Sequence, residues 1–131
     1  MVKRNLIIDT SVLVRFLTRD IEAMYQESVG WFLKAEKGEV RLSLPSIVVA
    51  ETCFVMESFY KKDKIDIAEK IEVLISQKWI SVKSRNVLLR CLNLYKVGVH
   101  FVDAYLCALS EKSGNEILTF DSKLKKMNGR G

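Results

Sequence analysis

The chain has 131 residues, the size of one domain, and 49% of them are hydrophobic, with one proline and six glycines. That composition excludes a disordered chain, a collagen and a disulfide scaffold, and it suffices to bury a core without a structural metal. Its 21 basic and 16 acidic residues leave a net charge of +5, compatible with a nucleic-acid partner without demanding one.

Much of that excess lies in the tail Ser122–Gly131, which carries four basic residues and no acid. No apolar run nears the roughly 20 residues that span a bilayer. The stretch Leu6-Ile7-Ile8 after Lys3 and Arg4 is too short for an exported leader, so a cytoplasmic location without membrane contact is expected. Cys53, Cys91 and Cys107 are isolated thiols beside a single His100, which argues against a zinc site and for a reducing compartment. They read as small buried hydrophobes; a Cys–His nucleophilic pair is the alternative, and nothing local favours it.

Arg4 to Asp9 reads as a short buried strand, followed at once by a helix whose apolar face is Val12, Leu13, Phe16 and Leu17. Asp20 is placed to cap a second helix that ends near Gly38. Val40 to Leu44 is a strand, and Pro45 suits the first turn of a third helix running to about Tyr60. Asp66 to Glu69 looks like a capping box opening a fourth helix to about Gln77. Ile80 to Lys83 is a third strand. Ser84 caps a helix to Lys96, and Val102 to Lys112 is another, stopped by Gly114. Glu116 to Phe120 is a fourth strand, with a short helical turn after it. Strands alternating with helices predict one α/β domain over residues 1–131 with a parallel sheet.

Four carboxylates stand in apolar surroundings, where an unpaired charge is costly. Asp9 ends the first strand, at the edge where open α/β sheets bind ligands; capping the next helix would explain it equally well. Glu51 sits in a helix that is apolar almost all round, so it is expected to be buried, with an ion pair to Arg15 or Arg90 as the plain alternative to a metal or catalytic role. Asp103 lies in the first turn of a helix, where the dipole alone favours an acid. Asp121 ends Ile117-Leu118-Thr119-Phe120 and repeats the pattern of Asp9. An all-oxygen set without His or Cys points to a hard ion such as Mg²⁺ or Mn²⁺, of the kind that serves phosphodiester hydrolysis.

The order Ile7-Ile8-Asp9-Thr10-Ser11, then Val48-Val49-Ala50-Glu51, then Phe101-Val102-Asp103-Ala104, then Leu118-Thr119-Phe120-Asp121 resembles the PIN domain. Within that family it is most similar to the short VapC-type toxins of toxin–antitoxin pairs. The resemblance implies a three-layer α/β/α sandwich with a mostly parallel central sheet. It implies a Mg²⁺- or Mn²⁺-dependent endoribonuclease with Asp9, Glu51, Asp103 and Asp121 as catalytic and metal-binding acids. Ser11 and Thr119 would orient those ligands. It also implies an RNA substrate, a homodimer and a cognate antitoxin. His100 departs from the family, which often has an acidic or small residue there. The chain ends soon after the last motif, so the sheet is expected to lack a final strand.

Arg15, six residues after Asp9, is read as a contact to RNA phosphate, with a solvated helix position as its alternative. Lys123, Lys125 and Lys126 follow Asp121 and are read as a grip on RNA backbone, which would make binding salt-dependent. Tyr25, Trp31 and Phe59 are expected in the core, contacts to a dimer mate or antitoxin being the other option. The rival function is an inactive PIN-like module that binds RNA or protein. A haloacid dehalogenase-type phosphatase also opens on a strand and an Asp, but it wants a second Asp where Ser11 stands. A receiver domain needs adjacent acids near its N-terminus, and this chain has none there.

Overall fold

The computed structural model describes residues 3–128 and divides the chain into two compact units, Met1–Lys83 and Ser84–Gly131. The first unit runs β1 (Arg4–Ile7), α1 (Thr10–Thr18), α2 (Glu22–Glu36), β2 (Val40–Ser43), α3 (Ser46–Ser58), α4 (Lys64–Ile75) and β3 (Ile80–Ser81). Its three strands form one parallel sheet in the order β1-β2-β3. The register pairs Arg4 with Val40, Ile7 with Ser43, and Leu42 with Ile80. Each parallel pairing needs a crossover, and the helices supply it. The expected α/β class with a parallel sheet is therefore present.

β1 is not the buried strand that its apolar run suggests. It lies at the outer edge of the three, and side chains alternate across it. Ile8 just beyond it is 4% exposed, whereas Ile7 is 74% exposed. The apolar stripe of α1, Leu13 and Val14, is buried, and Phe16 meets Phe32 of α2 edge to face at 4.8 Å. Ile67, Ala68, Ile71 and Ile75 of α4 are fully buried.

The second unit holds α5 (Arg85–Lys96), α6 (Phe101–Ser113) and α7 (Ser122–Met127). α5 packs on α6 through Leu88, Cys91, Leu92 and Tyr95 against Phe101, Ala104 and Ala108. Gly114 ends α6 in the left-handed region at φ 78°, a conformation that suits a residue without Cβ.

Several expected boundaries move for local reasons. Glu116 to Phe120 is not a strand. A side chain takes one of its backbone groups where a ladder would: Ile117 N–H donates to Asn128 Oδ1 at 3.2 Å, and just past the segment Asp121 N–H donates to Thr119 Oγ1 at 3.0 Å. Leu118 and Phe120 consequently stand fully in solvent. Asp63, not Asp66, caps α4, through the Ile65 N–H at 2.9 Å. Ile21 stands at the start of α2, because Asp20 is engaged elsewhere. Pro45 sits one position before the first residue of α3. Ser84 occupies the cap position of α5 but makes no capping bond. The end of the basic tail, residues 129–131, lies outside the described residues.

The cysteines fit their expected role. All three are buried, and none forms a disulfide. Burial pushes the Cys91 thiol up to about 12 and raises Cys107 as well, away from the thiolate that a nucleophile needs.

Candidate nuclease site

The site begins where the parallel strands end. β1 delivers Asp9, and β2 leads through Pro45 into α3, whose second turn carries Glu51. Asp9 and Glu51 line one cleft of about 620 Å³ together with Thr10, Ser11, Val14, Arg15, Val55, Phe59 and Tyr60. All of these residues belong to the first unit.

Asp9 caps α1. Its Oδ2 accepts from the Ser11 N–H at 3.2 Å and from the Ser11 hydroxyl at 2.7 Å. These bonds favour the charged form. The Ser11 hydroxyl foremost, then the Ser11 and Thr10 amides, hold the Asp9 carboxyl below the ordinary aspartate value of 3.8. The capping role and an acid ready to meet a cation are thus one geometry. A depressed carboxyl favours folding at pH above its unfolded value and loses that contribution as pH falls through the lower folded one. Ser11→Ala should return the Asp9 titration toward 3.8, read from its side-chain carbonyl carbon by NMR. A midpoint unchanged by the substitution would exclude Ser11 as the cause.

Glu51 is exposed, which corrects its expected burial. α3 is not apolar on every side that matters to the core: Ile47 and Phe54, on the same stripe as Glu51, are 78% and 63% exposed. Nor does Glu51 take either expected cation. Arg15 pairs with Asp20 at 3.0 Å and Arg90 with Glu111 at 2.8 Å. Glu51 Oε1 accepts from the Thr10 hydroxyl at 2.5 Å, so one oxygen is anchored to the residue beside Asp9.

In the second unit, Asp103 is half-buried in the first turn of α6 and Asp121 caps α7 through the Lys123 and Leu124 amides at 2.8 and 3.3 Å. Thr119 holds Asp121 by its backbone amide. Lys123, Lys125 and Lys126 are exposed. His100 stands exposed just before α6 and makes no capping bond.

The donor chemistry fits a hard divalent cation. Mg²⁺ is commonly held by one or two carboxylates, with waters and a substrate phosphate filling the remaining positions, and the Asp9–Glu51 cleft offers two. Neither unit, among the described residues, contains a group of three or more His, Cys, Asp or Glu able to hold a metal ion.

The PIN domain family matches residues 6–130, nearly the full length of the chain. The chain belongs to the PIN domain family. Among curated relatives of this PIN protein is a VapC ribonuclease from Aquifex aeolicus (strain VF5), 28% identical over 125 residues that cover 92% of this chain and 90% of the relative. No solved structure matches this chain.

The sequence alone pointed to Asp9, Ser11, Arg15 and Glu51 of this cleft. Thr10, Phe59 and Tyr60 escaped it. Phe59, expected in the core, is 77% exposed. The available signal was the end of an apolar helix running into Lys61-Lys62, where an aromatic borders on solvent.

Proposed function

We propose that this PIN protein is a metal-dependent endoribonuclease that hydrolyses RNA phosphodiester bonds, and that it is the toxin of a toxin–antitoxin pair. The observation that carries the reading is the carboxylate pair of Asp9 and Glu51 in one open cleft at the carboxyl ends of parallel strands. Family membership and the VapC relative support it. Residues 1–131 are read as one PIN-like domain, since the family match runs through both units.

Asp9, Glu51, Asp103 and Asp121 are the proposed acids, with Mg²⁺ or Mn²⁺ as the cofactor. Asp9 and Glu51 would hold such an ion. When bound, it supplies charge neutralisation at the phosphate and activation of water. The chain's own residues prepare for this. Ser11 keeps Asp9 ionised and oriented, and Thr10 fixes one Glu51 oxygen. Thr119 steadies the backbone that carries Asp121. Arg15 is the proposed phosphate contact beside the acids, and Lys123, Lys125 and Lys126 hold backbone phosphates near Asp121.

The antitoxin and a homodimer are proposed partners. Exposed Ile47, Phe54 and Val73 give the first unit apolar surface of the sort a protein partner covers. Three unbridged cysteines fit a cytoplasmic location. Among the described residues no helix is long and apolar enough to cross a membrane.

The test is cleavage of a panel of single-stranded and hairpin RNAs. Cutting is expected with Mg²⁺ or Mn²⁺, loss of cutting in EDTA, and recovery when the ion is restored. Binding without cutting under every ion condition would favour the inactive RNA-binding module.

A further inference from the structure

The rim of the Asp9–Glu51 cleft carries a second construction that the acids do not explain. Arg15 Nη1 donates to Asp20 Oδ2 and to the Tyr60 hydroxyl oxygen, both at 3.0 Å. The Tyr60 hydroxyl donates to the same Asp20 oxygen at 2.8 Å, and the Thr18 hydroxyl donates to the other at 2.8 Å. Both oxygens of Asp20 are therefore employed, and three side chains, two from α1 and one from the turn after α3, meet on one carboxylate. Arg15 and Asp20 remain about one-third exposed, so the ion pair lies at the surface. A solvated pair of this kind adds little stability by itself. Its effect is geometric: one guanidinium nitrogen is committed, while the Nε and Nη2 donors stay available for a phosphate.

In the same cleft lining as this arginine stands an aromatic ring that stacks on no other ring among the described residues. Phe59 caps the end of α3, lines the cleft and is 77% exposed. The turn that presents Phe59 and Tyr60 is held in shape. The Lys62 N–H returns to Met56 O at 3.0 Å, and Lys61 adopts a left-handed φ of 53°. A solvent-facing phenyl on a fixed turn, beside a positioned arginine and two carboxylates, has the elements of single-strand recognition: a ring for an unstacked base and a cation for its phosphate.

We propose that Phe59 and Arg15 form a nucleotide subsite beside the Asp9–Glu51 pair, with Asp20 and Tyr60 as its positioning residues, in which one base of the RNA stacks on Phe59. This rests on the ribonuclease reading and names the residues by which that site grips its substrate. A base within a duplex is already stacked on its neighbours and cannot reach the ring, so helical RNA is excluded unless a base is displaced.

The experiment uses the full chain and a single-stranded RNA octamer carrying 2-aminopurine, in EDTA, so that binding is read without cleavage. Stacking on Phe59 quenches the fluorescence. Phe59→Ala should remove the quench and weaken binding roughly ten-fold or more, while Phe59→Trp retains both and circular dichroism shows an unchanged fold. A duplex of the same sequence should give no quench. Asp20→Asn should weaken binding of the octamer in the wild-type background and have no further effect in an Arg15→Ala background, because a positioning residue acts through the group it positions. A purely structural role would weaken both. An unchanged quench in Phe59→Ala, or equal affinity for the duplex, overturns the subsite. Parallel cleavage with Mg²⁺ separates the two levels. Cutting with an unaffected Phe59→Ala overturns the subsite alone. The expected quench without cutting overturns the nuclease reading alone.

Discussion

Asp9→Asn should lower the rate of RNA cleavage by at least about a hundred-fold and leave the helical circular dichroism spectrum unchanged. The amide preserves what the fold asks of this position. An asparagine oxygen caps a helix about as well as an aspartate oxygen, so the Ser11 amide keeps its acceptor and α1 keeps its start. What disappears is the negative charge that would hold a divalent cation beside a substrate phosphate. Glu51→Gln should follow the same pattern, since the Thr10 hydroxyl can still donate to an amide oxygen. The measurement is kcat/KM on a cleavable octamer with Mg²⁺. Wild-type rates in both variants would show that the chemistry lies elsewhere. A loss confined to KM would show that the acids bind substrate without promoting its reaction.

Leu13→Ala costs about 2–5 kcal/mol of folding stability, read as a lower urea midpoint by circular dichroism. Leu13 is fully buried in the first unit, on the face by which α1 packs against α2 and α3. Truncation leaves a cavity that neighbouring elements can only partly fill. Because α1 starts at Asp9, this change also loosens the seat of the first acid, and activity should fall before global unfolding as temperature rises. The contrast is Val73→Ala on α4. Val73 is 65% exposed, and the change should stay within about 0.5 kcal/mol. Equal losses at the two positions would contradict the placement of the core.

Periodicity made the helices legible, because an amphipathic stripe such as Leu13 and Val14 is written into local spacing. The strand–acid–hydroxyl pattern likewise placed Asp9 correctly at the exit of β1 and the entry of α1. What failed were readings that depend on neighbours. The third helix looks buried because its residues are apolar, yet which side faces the core is decided by packing, and Glu51 lies on the other side with Ile47 and Phe54. Ile117 to Phe120 has strand chemistry, but the Asn128 side chain claims the Ile117 amide, and the Thr119 side chain turns back to the Asp121 amide. Asp20 looked like a cap because it precedes a helix. Its partner Tyr60 lies far along the chain, and no local rule could join them.

The pairing of the sheet has a consequence for when the cleft comes into being. Arg4 meets Val40, and Leu42 meets Ile80, so neither pairing can form between adjacent stretches of chain. Each waits until an intervening pair of helices has been made and folded back, and contacts of such long sequence range form slowly. Thr10 and Glu51 are joined across a similar span. A growing or partly unraveled chain therefore carries Asp9 and Glu51 long before they face a common space. The space that Asp9 and Glu51 share is thus withheld by the order of folding until β2 has docked and α3 has been laid down after it.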